Sequence, residues 1–289
     1  MNFPTSDSSV IDSVGRRGAL SYEFEQAGPR TVLTRSSCTS PWHYFPPSYL
    51  DDSGCAYTWL VNPSGGLVAG DHVSVEAQLH AGTHVFMTSP SANRVYRSLS
   101  EPARQDIRLL VGPGARLEWV PEITIPFAGS RFRQSIHVDL APGATVVLWD
   151  AMASGRVARH ERWAFASLEN EICINTSLGK SLVERYRLVP GLLPESISLV
   201  ESWDYVASLF VIGDAVGADV WKRLDLALAA ILEQRPGLVL GAVSTPALSG
   251  LVVKLVARSA PDLTAVQEAM WTAIRKELWD LPAPNLRKY

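Results

Sequence analysis

Apolar and polar residues alternate through much of the first two thirds of the chain. From Asp71 to His80, Val73, Val75, Ala77 and Leu79 fall on one face, and His72, Ser74, Glu76, Gln78 and His80 on the other. That is the period-two signature of a strand buried on one side. The same alternation groups Ile107, Leu109 and Val111, then Ile136, Val138 and Leu140, then Ile172 and Ile174. Proline and glycine interrupt at short intervals, as an all-β architecture requires. Residues from about 15 to 200 are therefore read as strands. The strings AGTHVFMT, PGARLEWV and PGATVVLW begin at residues 81, 113 and 142, so Gly82, Gly114 and Gly143 recur at intervals of 32 and 29 residues. Each string opens with a turn suited to positive φ and then enters a strand. Such a recurrence predicts similar β units stacked on one another. A β-solenoid and a sandwich of repeated hairpins fit it equally.

The pattern changes after residue 203. Leu209 to Ile212 reads as a short apolar strand. Residues 216 to 234 read as a helix with Val216, Val220, Leu224, Leu228 and Ile231 on one stripe, stopped by Pro236 and Gly237. Apolar strands follow near 238 to 244 and 251 to 257. A last helix is expected from about 264 to 280, opened by a Thr264–Gln267 capping box, with Val266, Met270, Ile274 and Leu278 facing inward. The expected fold is mainly β: a stacked-sheet body over 1–202, and a small β-α-β-β-α subdomain over 203–289 packed on it with two helices.

Composition narrows the function. The chain has 289 residues, 47% hydrophobic and 19% charged, with a formal net charge of −3. It is neither disordered in composition nor basic enough to make nucleic acid an expected partner. Cys38, Cys55 and Cys173 are widely spaced and form no CxxC pair, which points away from disulfide frameworks and zinc knuckles. The opening MNFPTSDSSV lacks the basic-then-apolar order of an export signal, and no run approaches a membrane span, so a cytoplasmic location is expected.

GxSxG and HExxH are missing, and LGKS at 178–181 has Ile174 where a phosphate loop needs glycine. His80 and His84 have helical metal-site spacing, but Ala81 and Gly82 break a helix there, and a surface turn is expected.

Three carboxylates nevertheless share the apolar phase of their strands: Asp71 with Val73, Val75 and Ala77; Asp150 with Val146 and Leu148; Glu184 with Leu182, Tyr186 and Leu188. A buried carboxylate needs a cation, hydrogen-bond donors or internal water. One reading pairs each with an arginine such as Arg94, Arg97 or Arg156. The other is a polar passage through the β body. A third function class, a β-solenoid hydrolase of carbohydrate, would use Asp71 and Asp150 as an exposed acid pair.

Four segments carry a family likeness. PSGGLVAGD at 63–71, TSPSANRVYRS at 88–98, LEWVPEITIPFAGSRF at 117–132 and LWDAMASGRVARHERW at 148–163 resemble, in order, the conserved blocks of the UreD (UreH) urease accessory family. That resemblance implies a non-catalytic maturation factor. Its partners would be apo-urease, a UreF-type helical protein and a UreG-type GTPase, with a possible homodimer in the complex. It also implies a β-rich fold with two helices and an internal tunnel for nickel. By position, the tunnel residues carry over to Asp71, Asp150, Glu184 and Asn93, of which Asp71, Asn93 and Asp150 lie within the quoted blocks. The family more often has serine at Asn93, and lysine at Arg94. No permanently bound cofactor is expected: spaced carboxylates hold nickel more weakly than a nitrogen or sulfur cluster, and a conduit must release its ion.

Overall fold

The alternating segments pair largely in parallel. The computed structural model describes residues 17–192 and 203–286, so residue 202, the expected end of the β body, and the N-terminal ten residues lie outside the described residues. The first sheet runs from edge to edge through β13 (Ser181–Leu188), β12 (Ser167–Thr176), β10 (Arg131–Leu140), β7 (Ala103–Val111), β4 (His72–Leu79), β1 (Arg17–Ala27) and β2 (Arg30–Cys38). The second runs through β15 (Val239–Ser244), β16 (Gly250–Ala257), β14 (Tyr205–Gly213), β11 (Thr145–Ala153), β8 (Arg116–Trp119), β5 (His84–Thr88) and β3 (Ala56–Trp59). Two short strands, β6 (Asn93–Val95) and β9 (Thr124–Pro126), attach beside β11.

This is the solenoid-like alternative. The pairs β4–β5, β7–β8 and β10–β11 each give one strand to each sheet, and successive coils stack in parallel register: Val75 lies beside Ile107, Ile107 beside Ile136, and Ile136 beside Ile172. The recurrent glycines make the corners, with φ of +73° at Gly82, +62° at Gly114 and +74° at Gly143. The corners also stack, since the Gly82 N–H donates to the Pro113 carbonyl at 2.9 Å and the Gly114 N–H to Pro142 at 3.0 Å. A residue with a Cβ resists that backbone, so glycine at each corner keeps the coils in step.

Between the sheets lies one apolar core, containing Leu20, Val75, Ile107, Ile136 and Ile172 with Val85, Leu117, Val146, Leu148 and Phe210. A second core covers the other face of the second sheet. There β14, β16 and β15 extend the sheet antiparallel from β11, and helices α1 (Ala218–Glu233) and α2 (Ala260–Trp279) pack on them. Leu224, Leu228 and Leu232 are the buried stripe of α1. The start of α2 differs from expectation. Ser259 is its N-cap, its Oγ accepting from the Asp262 N–H at 3.2 Å, with Pro261 in the first turn. Two capping patterns overlap here, and the one followed by proline, whose fixed φ suits a first turn, opens the helix. Thr264 and Gln267 are one turn inside. The LGKS string forms the turn between β12 and β13, with φ +71° at Gly179. Among the described residues no helix is long and apolar enough to cross a membrane.

Candidate functional site

Three strands of the first sheet break their apolar phase at the same level. Gln105 interrupts Ala103-x-x-x-Ile107, Gln134 interrupts Phe132-x-x-x-Ile136, and Asn170 interrupts Leu168-x-x-x-Ile172. Tyr186 completes the row on β13. Parallel register sets Gln105 beside Gln134 and Gln134 beside Asn170, and the antiparallel β13 brings Tyr186 beside Asn170. The coils thus line up a polar seam inside an otherwise apolar interior.

Asp150 faces this row from β11 of the opposite sheet. Its Oδ1 accepts from Gln134 Nε2 at 2.9 Å, and its Oδ2 from Asn170 Nδ2 at 2.8 Å. Gln134 Nε2 also donates to Asn170 Oδ1 at 3.0 Å, and Asn170 Nδ2 reaches the Tyr186 hydroxyl at 3.2 Å. At the other end Asn93 Nδ2 donates to Gln105 Oε1 at 3.1 Å. Loss of bulk water pushes the Asp150 carboxyl above its ordinary range, while the two amide donors and the charge of Lys254 oppose the shift.

Asn93 and Asp150 line one cavity of about 90 Å³, together with Gln105, Glu122, Thr124 and Gln134. A single water needs about 10–15 Å³ measured this way, so several fit. A second, smaller cavity of about 10 Å³ lies on the other side of Asp150, lined by Gln134, Asn170 and Tyr186.

The other two flagged carboxylates lie outside that lining. Asp71 Oδ2 accepts the Val68 N–H at 2.8 Å and closes the turn before β4. A strand-end residue follows its turn rather than the parity of the strand. Glu184 does point between the sheets, where it pairs with Lys254 Nζ on β16 and accepts from Ser208 Oγ on β14 at 3.1 Å. Lys254 Nζ donates to the same Ser208 Oγ at 2.8 Å, and burial brings its pKa down to about 8 against the opposing charge of Asp150. Among the described residues no arginine pairs with these carboxylates: amides satisfy Asp150, a lysine meets Glu184, and Arg156 pairs with Glu161. Asp71 is not among the residues lining the cavity that Asp150 borders.

The four sequence blocks surround this seam: the first supplies the Gly-rich turn before β4, the second carries Asn93, the third carries Glu122, and the fourth begins two residues before Asp150. The family model described as "UreD urease accessory protein" matches residues 16–289. The chain belongs to the UreD family. Relatives include "Urease accessory protein UreD 2" of Streptomyces griseus, 32% identical over 98% of this chain and 97% of its own length. "Urease accessory protein UreD" of Deinococcus radiodurans is 33% identical over 96% and 97%, and that of Haloarcula marismortui is 32% identical over 97% and 93%. UreD membership makes this an accessory factor of urease maturation.

A second polar cluster in this UreD chain lies beneath α2. Glu118, the first of two acidic residues in the LEW block, is fully buried and accepts from His84 Nε2 at 2.7 Å, Trp271 Nε1 at 2.5 Å and Arg275 Nη1 at 2.6 Å. His84 is therefore buried, contrary to the surface turn expected for it: the corner ends at Thr83, and His84 already belongs to β5. Ligand atoms of Cys55, His84 and Glu118 lie within 4.8 Å of one another. Arg275 already neutralises the carboxylate, however, and burial pushes the Cys55 thiol well up, so the arrangement suits a structural clasp better than a metal. His80 instead faces Glu23, at 2.9 Å.

Glu118, Arg275, Lys254 and the amide row escaped the sequence reading. The row had a usable signal, because the parity test that flagged carboxylates flags Gln105, Gln134 and Asn170 equally when applied to neutral amides.

Proposed function

We propose that this UreD protein is a non-catalytic scaffold. With a UreF-type helical protein and a UreG-type GTPase it binds apo-urease and helps to insert nickel, and the nickel travels along the seam. The observation carrying this reading is Asp150: a carboxylate between the two sheets, held by neutral amides and bordering a cavity with room for several waters. Oxygen donors of this kind attract a divalent ion without the affinity of a thiolate or imidazole cluster. Passage demands that combination of entry and release. Asn93 stands at the wide end and Glu184 beyond the narrow end, while Asp71 acts on the turn that borders the entrance side. The narrow part holds about one water, so the ion sheds solvent there or the sheets part slightly.

The test is Asp150→Asn, co-expressed with the urease subunits and both partners at limiting nickel. The variant is expected to assemble normally, as read by pull-down, and to yield urease with severalfold less nickel by atomic absorption. Full nickel loading would remove the passage. Loss of assembly would leave Asp150 with a scaffolding role.

A further inference from the structure

The seam ends at a cation that the protein supplies itself. On the second sheet Asp150, Ser208 and Lys254 are register neighbours across β11, β14 and β16. All three turn toward the first sheet, as their strand neighbours Leu148, Phe210 and Val252 do in the inter-sheet core. Glu184 meets them from β13, the last strand of that first sheet. The Lys254 side chain is 49% exposed and that of Glu184 only 16%, so solvent reaches this corner through the lysine. The ammonium bonds both Ser208 and Glu184, and its charge acts on Asp150.

We propose that the Lys254 ammonium occupies the cation position at this mouth, and that a divalent ion enters or leaves the seam there only by displacing it. The inference rests on the passage reading and adds a gate to it. A divalent ion at the Glu184 carboxylate meets the like charge of the Lys254 ammonium within a few ångströms, which weakens its binding. A lysine, unlike an arginine fork, is a single point charge on a flexible stem. Half of the side chain is already in water, and an arriving ion replaces the charge that Glu184 loses when the ammonium swings outward. While it is in place, the gate keeps Glu184 neutralised and prevents metal from lodging there.

The probe is nickel chloride in equilibrium dialysis against the full-length chain, independent of urease activity. Lys254→Met is expected to bind Ni²⁺ at least about tenfold more tightly than the native chain, the scale of removing one nearby like charge. Lys254→Gln, which keeps a donor for Ser208, is expected to behave likewise. Adding Glu184→Gln to either should abolish the gain. Unchanged nickel affinity in both single variants overturns the proposal. Unfolding of both also overturns it, since the ammonium would then be a structural tie that cannot leave. Asp150→Asn separates this idea from the passage itself. If Asp150→Asn lowers the nickel content of urease while the Lys254 variants bind as the native chain does, the passage survives without a gate. If the Lys254 variants bind more tightly but Asp150→Asn matures urease fully, the displaced cation is real and the passage is not.

Discussion

Arg275 and Glu118, 157 positions apart, form an ion pair of 2.6 Å in which both side chains are wholly withdrawn from solvent. Arg275 also reaches Asp51 at 2.7 Å and the Pro282 carbonyl at 2.7 Å. One guanidinium on α2 thus ties together β8, the loop before β3 and the segment after the helix. Five N–H donors in a rigid plane make arginine suited to such a junction, and lysine could not satisfy three acceptors in these directions.

Arg275→Met is therefore expected to destabilise the fold by about 3–5 kcal/mol, because Glu118 is left charged and buried with only His84 and Trp271. The double variant Glu118→Leu/Arg275→Met should lose less than the sum of the two single changes, since the unpaired charge is gone. Urea denaturation of all four proteins measures this. Strict additivity would show that the pair is not a unit.

Asp150 sets a pH dependence of known sign. Its folded pKa is raised above the ordinary 3.8, so the folded chain takes up the proton first as pH falls. Between the raised folded value and 3.8 the native state binds more protons than the unfolded state, and stability falls as pH rises through that window. Asp150→Asn lacks this response. The Tm of the native chain relative to the variant should therefore increase as pH is lowered from 7 toward that window, measured by scanning calorimetry at several pH values. A difference that shrinks on acidification would mean that Asp150 is stabilised as the anion.

Most of the fold can be read from the chain because strand parity and corner glycines are local properties. Val73 to Leu79 alternate whatever they pair with, and Gly82, Gly114 and Gly143 mark the corners by their spacing. The site is less legible because it depends on register. Nothing local tells Gln134 that it will lie beside Asn170, or that Lys254 will meet Glu184 seventy residues away in sequence. Asp71 misled for the opposite reason, since a local turn hydrogen bond to Val68 outweighs its parity with Val73. Glu118 was hidden because the face of β8 that it occupies is buried only when α2 arrives.

Two glycines should respond differently to alanine. At Gly114, φ is +62° and an added Cβ meets nothing within 4 Å, so only backbone strain opposes the change, about 1–2 kcal/mol. At Gly66 the Cβ would lie 2.4 Å from the Arg94 carbonyl and 2.7 Å from Tyr96 Cε2. The Leu67 N–H donates to that same carbonyl at 2.7 Å, so the loop must lift off the strand that carries Asn93. Gly66→Ala is expected to cost more stability than Gly114→Ala by thermal unfolding. It should also lower nickel loading of urease, through the displaced Asn93, whereas Gly114→Ala should not. Equal stability losses would mean that the 63–71 turn yields freely.

Cysteine chemistry offers a direct reading of how firmly α2 is seated. Attack on an alkylating reagent needs a thiolate and access. Cys38 is exposed, Cys173 is partly covered with its thiol near Asn175 Oδ1, and Cys55 is fully buried beside the Arg275–Glu118 pair. Burial raises both the Cys55 and the Cys173 thiols, and Cys55 the further. Timed iodoacetamide labelling with peptide mapping should therefore modify Cys38 first, Cys173 slowly and Cys55 only when the structure opens. Because Cys55 shares its core with Leu263, Val266, Met270 and Ile274 of α2, undocking of the helix is the opening that counts. Arg275→Met should accelerate labelling of Cys55 while leaving Cys38 unchanged. Should Cys55 instead react as fast as Cys38 in the native chain, α2 is not held by the clasp, and the second core is open in solution.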